Sequence, residues 1–188
     1  LKTGDLILFH GVGRWTAWMM CSYYTHIGVV VKKDDEYYLL EAVNMEKERC
    51  KINYGDQVKK SGISLINLKE RLNHYKGLIY YKELHKPVDP TLLPHFYDFI
   101  KYAQNYCEYD TDIATNSLRK KRGEGCDKWT NCGQLAFMAL ICLGIIDPTL
   151  YEKNIAHHLR FLCNTIEFKG GSYHQPIEIV CTAFGEVA

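Results

Sequence analysis

The chain is centred on the stretch WTNCGQLAF, residues Trp129–Phe137, where a polar turn meets the apolar run Leu135–Ile146. Thr130 and Asn131 are typical helix N-cap residues, because their side-chain oxygens accept the unpaired N–H groups of a first helical turn. A helix of this length that is apolar on all sides is expected inside a globular core rather than across a membrane. The pattern therefore predicts a buried core helix with Cys132 in its first turn.

Cys132 would lie at the positive end of the helix dipole, which favours a thiolate over a thiol. That position suits a catalytic nucleophile. It equally suits a core cysteine that happens to lie near a helix cap. The position alone does not separate these two interpretations.

The composition is that of a chain that folds into a globule. It has 188 residues, of which 47% are hydrophobic and 24% are charged. A chain of this length is expected to form one domain, residues 1–188, with room for an elaborated insert. The formal net charge of +1 gives no reason to expect nucleic acid as the main partner.

The eight cysteines do not follow a disulfide or metal-binding pattern. Their spacing is irregular, with no C-x-x-C pair and no Cys/His cluster at zinc spacing, so neither a metal nor another cofactor is expected. Mostly reduced thiols in a reducing, cytoplasmic compartment are the simpler interpretation. The chain starts at Leu1 without Met, which leaves a removed leader open. It has no run of ~18 apolar residues, so no transmembrane segment is expected.

Hydrophobic patterning predicts a mixture of strands and helices. The predicted strands are Leu6–Phe9, Thr25–Val31, Tyr37–Val43, Ile63–Asn67, Leu78–Leu84 and Ile177–Thr182, and the predicted helices are Arg14–Tyr23, Leu68–Tyr75, Thr91–Glu108, 132–146 and Leu150–Cys163. The segments Asn44–Gly62 and Tyr109–Lys128 are polar and irregular. The second contains the basic run Arg119–Arg122, for which a solvated loop is favoured over contact with lipid or RNA phosphates.

Two of the predicted strands, Thr25–Val31 and Tyr37–Val43, have the spacing of a β-hairpin. With a four-residue loop at 32–35, His26 lies directly across from Glu41, and with other loop lengths it lies one or two places away. Cross-strand neighbours on one face are about 5 Å apart at Cβ. The two side chains are therefore expected to meet.

A thiol nucleophile needs a base within hydrogen-bond reach and a third group that orients the base. His26 stands at the entry to a buried-type strand, and Gly28 leaves room on the same face. Glu41 can hold one ring nitrogen and leave the other facing Cys132. Each residue alone has an ordinary structural explanation, but the combination favours a triad. The chain has no G-x-S-x-G, H-E-x-x-H or EF-hand signature.

Four motifs occur in the order KTGDLILF (residues 2–9), THIGVV (25–30), LLEA (39–42) and NCGQL (131–135). In this order they resemble the circularly permuted branch of the NlpC-type, papain-like cysteine hydrolases. That branch includes bacterial YiiX-like proteins and a poxvirus virion protein family, and more distantly the lecithin:retinol acyltransferase group. In this branch, as in this chain, the histidine hairpin precedes the cysteine helix.

The resemblance implies an α+β fold, in which an antiparallel sheet or partial barrel packs on a buried helix that starts at the nucleophile cysteine. It implies Cys132 as nucleophile, His26 as base and Glu41 as the orienting residue, at a position whose residue type varies within the superfamily.

We therefore expect a thiol hydrolase or acyltransferase that cleaves an amide or ester through a thioester. Its substrate would be peptide-like or lipid-derived. The alternatives are a catalytically weak or inactive binding or virion-structural module on the same fold, and, more weakly, a redox or metal-sensing protein. The sequence leaves the oligomeric state open.

Overall fold

An antiparallel β-sheet forms the centre of the fold. The structure is a computed structural model that describes residues 1–10, 24–43, 62–73, 75, 77–85, 87–109, 129–150, 162 and 175–176. The strands are β1 (Leu6–His10), β2 (His26–Lys33), β3 (Glu36–Val43), β4 (Gly62–Asn67), β5 (Leu78–Lys82), β6 (Glu108–Tyr109), β7 (Trp129–Thr130) and β8 (Gln175–Pro176). The main sheet has the order β4-β3-β2-β1-β5-β8, and β6 pairs with β7 in parallel. Together with the helices, this confirms the predicted α+β class with an antiparallel sheet.

The helices cover both faces of this sheet. They are α1 (Leu68–Asn73), α2 (Leu93–Tyr106), which follows a 3-10 turn at Pro90–Leu92, and α3 (Cys132–Cys142). On one face, α2 and α3 pack in a core with side chains such as Leu8 and Val29. On the other face, Leu68 and Leu72 of α1 pack against side chains such as Phe9 and Leu39. Because both faces are covered, β1 is a nearly continuous apolar run.

The core helix α3 is shorter than the predicted helix 132–146. It ends at Cys142, because Gly144 takes a left-handed conformation with φ +67°. The N–H groups of Gly144 and Ile145 bond back to the carbonyls of Ile141 and Leu140, as in a helix C-cap. The apolar run therefore continues beyond the helix that it was expected to form.

The hairpin of β2 and β3 has a tighter turn than the loop expected at 32–35. Lys33 pairs with Glu36, so the turn consists of Asp34 and Asp35, with φ of 50° and 62°. Aspartate tolerates this left-handed conformation, which two-residue hairpin turns require. Continuing the register from the Val29–Leu40 pair puts Glu41 across from Gly28, two places from His26. The side chains of Glu41 and His26 therefore still share a face.

Several predicted segments lie outside the described residues. These are the helix Arg14–Tyr23, the strand Ile177–Thr182, the basic run Arg119–Arg122, most of Asn44–Gly62 and, apart from Leu150 and Leu162, the helix Leu150–Cys163. Within the described part of the chain, no helix is long and apolar enough to cross a membrane.

Candidate active site

Cys132 is the first residue of α3, and a reciprocal cap fixes the turn that carries it. Asn131 is the N-cap, as predicted, with extended backbone. Its Oδ1 accepts the Gln134 N–H at 3.0 Å, and the Gln134 Oε1 accepts the Asn131 N–H at 3.2 Å. This capping box satisfies two backbone donors at once and holds the start of the helix rigid.

The cap leaves a region of positive potential beside the sulfur. Gln134 donates its N–H to the cap, and Leu135 donates the first helical hydrogen bond, to the Asn131 carbonyl at 2.9 Å. The preceding N–H groups, of Cys132 and Gly133, belong to the first turn, which offers no acceptor inside the helix. With the helix dipole they provide a place where a negative oxygen is stabilised.

His26 is the first residue of β2, and it contacts Cys132 where that strand begins. The His26 ring forms a side-chain hydrogen bond with Cys132. Its Nε2 is 2.6 Å from Oε2 of Glu41, which leaves Nδ1 as the ring nitrogen available to the thiol. The His26 side chain is 19% exposed, while the Glu41 side chain has no exposed surface. The structure thus brings the three predicted residues together in the order Cys132, His26, Glu41.

The sequence interpretation gave no role to Arg71, which holds the far side of the Glu41 carboxylate. Its Nε donates to Oε1 of Glu41 at 2.6 Å, and its Nη2 donates to Oε2 at 3.2 Å. Two such bonds form the bidentate fork that is characteristic of arginine–carboxylate pairs. The Arg71 side chain is only 5% exposed, so this ion pair is buried.

Two aromatic rings pack on the guanidinium of Arg71, which lies on α1. The Arg71 guanidinium carbon lies 4.5 Å from the centre of the Phe9 ring and 5.4 Å from that of Tyr75. The Phe9 ring in turn packs on His26, with 5.3 Å between ring centres. Phe9 therefore touches both Arg71 and His26, and its place in an apolar strand gave no sign of this contact.

The electrostatic surroundings favour charged forms of both His26 and Glu41. Burial alone would lower the pKa of His26, but the charge of Cys132, the hydrogen bond to it and the Glu41 carboxylate raise that pKa to about 9. Burial would raise the pKa of Glu41, but the Arg71 guanidinium and His26 lower it to about 2. A charged partner within a few ångströms outweighs desolvation in both cases.

The described residues offer no separate metal site. Among them, no group of three or more His, Cys, Asp or Glu side chains is arranged as metal ligands would be. Both described cysteines on α3, Cys132 and Cys142, are thiols.

No family model and no curated protein matches this sequence. Among solved structures, the chain is similar to the crystal structure of the metalloprotein yiiX from Escherichia coli O157:H7, with a TM-score of 0.52 and 17% sequence identity. The match covers 76% of this chain and 67% of that chain. At this identity the likeness concerns the fold alone.

Proposed function

We propose that this chain is a cysteine-dependent hydrolase or acyltransferase of the permuted papain-like type, which cleaves an amide or ester through a thioester intermediate. One observation carries the proposal: Cys132, His26 and Glu41 form a continuous hydrogen-bonded array at the capped start of a buried helix. A nucleophile, a base and an orienting group are the parts that thiol acyl transfer requires. The likeness of fold to yiiX is compatible with this type of enzyme.

In the first half of the reaction, the Cys132 thiolate attacks the acyl carbonyl carbon and forms a tetrahedral intermediate. The N–H groups of Cys132 and Gly133 stabilise its negative oxygen. Protonated His26 then gives its proton to the leaving nitrogen or oxygen as the bond to the acyl carbon breaks. The acyl group remains on Cys132 as a thioester.

In the second half, neutral His26 takes a proton from water or from a second acceptor, whose oxygen or nitrogen attacks the thioester carbonyl. The carbon–sulfur bond breaks, and the thiolate–imidazolium pair is restored. Glu41 stays ionised throughout, holding Nε2 so that Nδ1 faces the sulfur. The acyl group would be peptide-like or lipid-derived.

The test is to detect the acyl-enzyme. The protein is mixed with p-nitrophenyl acetate, quenched in acid, and analysed by intact-mass and peptide mass spectrometry. We expect acetylation of Cys132 and a nitrophenolate burst, with both lost in Cys132→Ala and slowed by about 10²- to 10⁴-fold in His26→Ala. Cys142, a half-buried thiol on the same helix, is the internal reference. Acetylation of Cys132 that is no faster than that of Cys142 would count against the proposal.

One observation favours the alternative of a binding module with weak or lost activity. Cys132 is only 3% exposed, so a substrate needs a path to its sulfur. A module of this kind would keep the fold and the hydrogen-bonded array but would give no acyl-enzyme. Parallel trials with a p-nitroanilide and with a long-chain p-nitrophenyl ester separate a selective enzyme from such a module.

A further inference from the structure

The four ionisable side chains of the site alternate in charge. In the reactive state of the proposed enzyme, Cys132 is negative, His26 positive, Glu41 negative and Arg71 positive, and each contacts the next. Two ion pairs therefore lie end to end, with Glu41 between the two cations. The array as a whole carries no net charge.

Among the described residues, uncharged side chains pack on both cations of this array. Phe9 of β1 packs on both Arg71 and His26, and Tyr75 packs on Arg71. From β4, the residue paired with Glu41 is Ser64, which is buried. In such low-dielectric surroundings an unbalanced charge is costly, and protons move so as to neutralise it.

Removing Arg71 changes which protonation state of Cys132, His26 and Glu41 has no net charge. Without the guanidinium, a thiolate, an imidazolium and the Glu41 carboxylate carry one excess negative charge. The neutral alternative is a protonated Cys132 thiol beside the ion pair of His26 and Glu41. Loss of Arg71 is therefore expected to convert the nucleophile into an ordinary thiol, although Arg71 does not contact the sulfur.

We propose that Arg71 is a positioning residue that balances the charge of Glu41, so that the His26 imidazolium remains the partner of the Cys132 thiolate. The inference rests on the proposed function. The bidentate fork adds a geometric effect, because it fixes the plane of the Glu41 carboxylate and with it the His26 ring.

The test measures the rate of iodoacetamide alkylation at Cys132 against pH, resolved by peptide mass spectrometry with Cys142 as reference. The proteins are wild type, Arg71→Met, Arg71→Lys and the double variant Glu41→Gln/Arg71→Met. At about pH 6 we expect Arg71→Met to lower the Cys132 rate by about 100-fold, the loss expected when an ion-paired thiolate becomes a free thiol. Arg71→Lys, which keeps the charge, should stay within about 10-fold of wild type.

The double variant separates charge balance from a merely structural role. It removes one positive and one negative charge, so the pair of Cys132 and His26 is again balanced, and most of the low-pH reactivity should return. Reactivity in the double variant as low as in Arg71→Met would overturn the inference, as would an unchanged pH onset in Arg71→Met.

Thermal melts by circular dichroism establish that each variant is folded. If Arg71→Met does not fold, Arg71→Lys and the double variant carry the test. Both are predicted to keep the fast alkylation of Cys132 at low pH. A wild-type Cys132 no faster than Cys142 would overturn the proposed function and the inference with it. If Cys132 is alkylated fast in the wild type and equally fast in Arg71→Met, the inference about Arg71 is overturned but the proposed function is not.

Discussion

Glu41 and Asp5 are both carboxylates with no exposed surface, yet their pKa values are shifted in opposite directions. The pKa of Glu41 is lowered to about 2, although burial works in the opposite direction. The pKa of Asp5 is raised, because burial outweighs the hydrogen bonds that it accepts. The difference lies in the kind of partner that each carboxylate has.

Around Glu41 the partners are cations inside the protein, the Arg71 fork and His26. Around Asp5 most partners are neutral donors: the N–H groups of Leu84 and Lys2, each at 2.8 Å, and the Tyr81 hydroxyl at 3.1 Å. In the part of the chain that the structure describes, the cation near Asp5 is the Lys2 ammonium, which is 3.5 Å away and 32% exposed. Solvent screens a charge in that position far more than it screens Arg71.

The contrast separates a structural carboxylate from one suited to a reactive site. Asp5 ties the start of β1 to the chain just beyond β5, and neutral donors suffice for that purpose. In the proposed enzyme Glu41 is ionised beside His26, and the buried Arg71 cation stabilises that charge. Four predictions test the comparison, starting with the largest effect.

Removing the buried cation should cost more stability than removing a neutral donor. We expect Arg71→Met to lower the free energy of unfolding by about 3–5 kcal/mol, because it removes one partner of a buried ion pair. Tyr81→Phe at Asp5 is the matched control and should cost about 1–3 kcal/mol. Urea denaturation followed by circular dichroism measures both. Equal losses would remove the distinction between the two sites.

Acidification should change the contributions of Glu41 and Asp5 to the free energy of unfolding in opposite directions. Since the folded-state pKa of Glu41 is depressed, its contribution to stability is present above its ordinary value near 4.5 and is lost as pH falls toward about 2. The destabilisation caused by Glu41→Gln should therefore shrink on acidification. The pKa of Asp5 is raised, so the destabilisation caused by Asp5→Asn should grow over the same change. Denaturation at about pH 7 and about pH 3 decides it, and trends of the same sign would contradict the account.

His26 should stabilise the fold on the acid side of its own titration. Its pKa is raised from 6.5 to about 9, so its contribution is complete below the unfolded value and is lost as pH rises through the folded one. The destabilisation caused by His26→Ala should thus be larger near pH 6 than near pH 10. Denaturation curves at the two pH values measure this, and a difference that does not change with pH would mean that the imidazolium is not the stabilised form.

The smallest effect is expected at Lys2. Its ammonium lies near both Asp5 and Glu83, but it is partly exposed. Lys2→Met should cost under about 1 kcal/mol and should matter less at high salt. Denaturation in low and high salt tests this. A loss comparable to that of Arg71→Met would show that exposed and buried cations act alike here.

The residues near each motif and the meeting of Cys132 with the His26 hairpin were predictable from the sequence, whereas the contacts of Arg71 and Phe9 were not. The residue type of Asn131 predicts a helix N-cap, and the composition and spacing of β2 and β3 predict a hairpin. Even the turn at Asp34–Asp35 had a usable signal, because aspartate tolerates positive φ. The end of α3 was misjudged because hydrophobicity continues past Gly144, where the backbone stops being helical.

Arg71 could not be assigned in this way. Its contact with Glu41 depends on how α1, which directly follows β4, lies on β3, and periodicity carries no information about that. The structure shows why a cation is needed there: Glu41 is fully buried, and its carboxylate requires a positive partner. Arg71 lies in the predicted short helix Leu68–Tyr75.

The most direct test of the central claim, that Cys132 and His26 form a reactive ion pair, is the pH dependence of iodoacetamide alkylation at Cys132 relative to Cys142 in one protein sample. The account predicts that at about pH 6 Cys132 reacts about 100-fold faster than Cys142, and that His26→Ala removes this advantage. An alkylation onset of Cys132 near the ordinary thiol pKa of about 8.5, unchanged in His26→Ala, would contradict it.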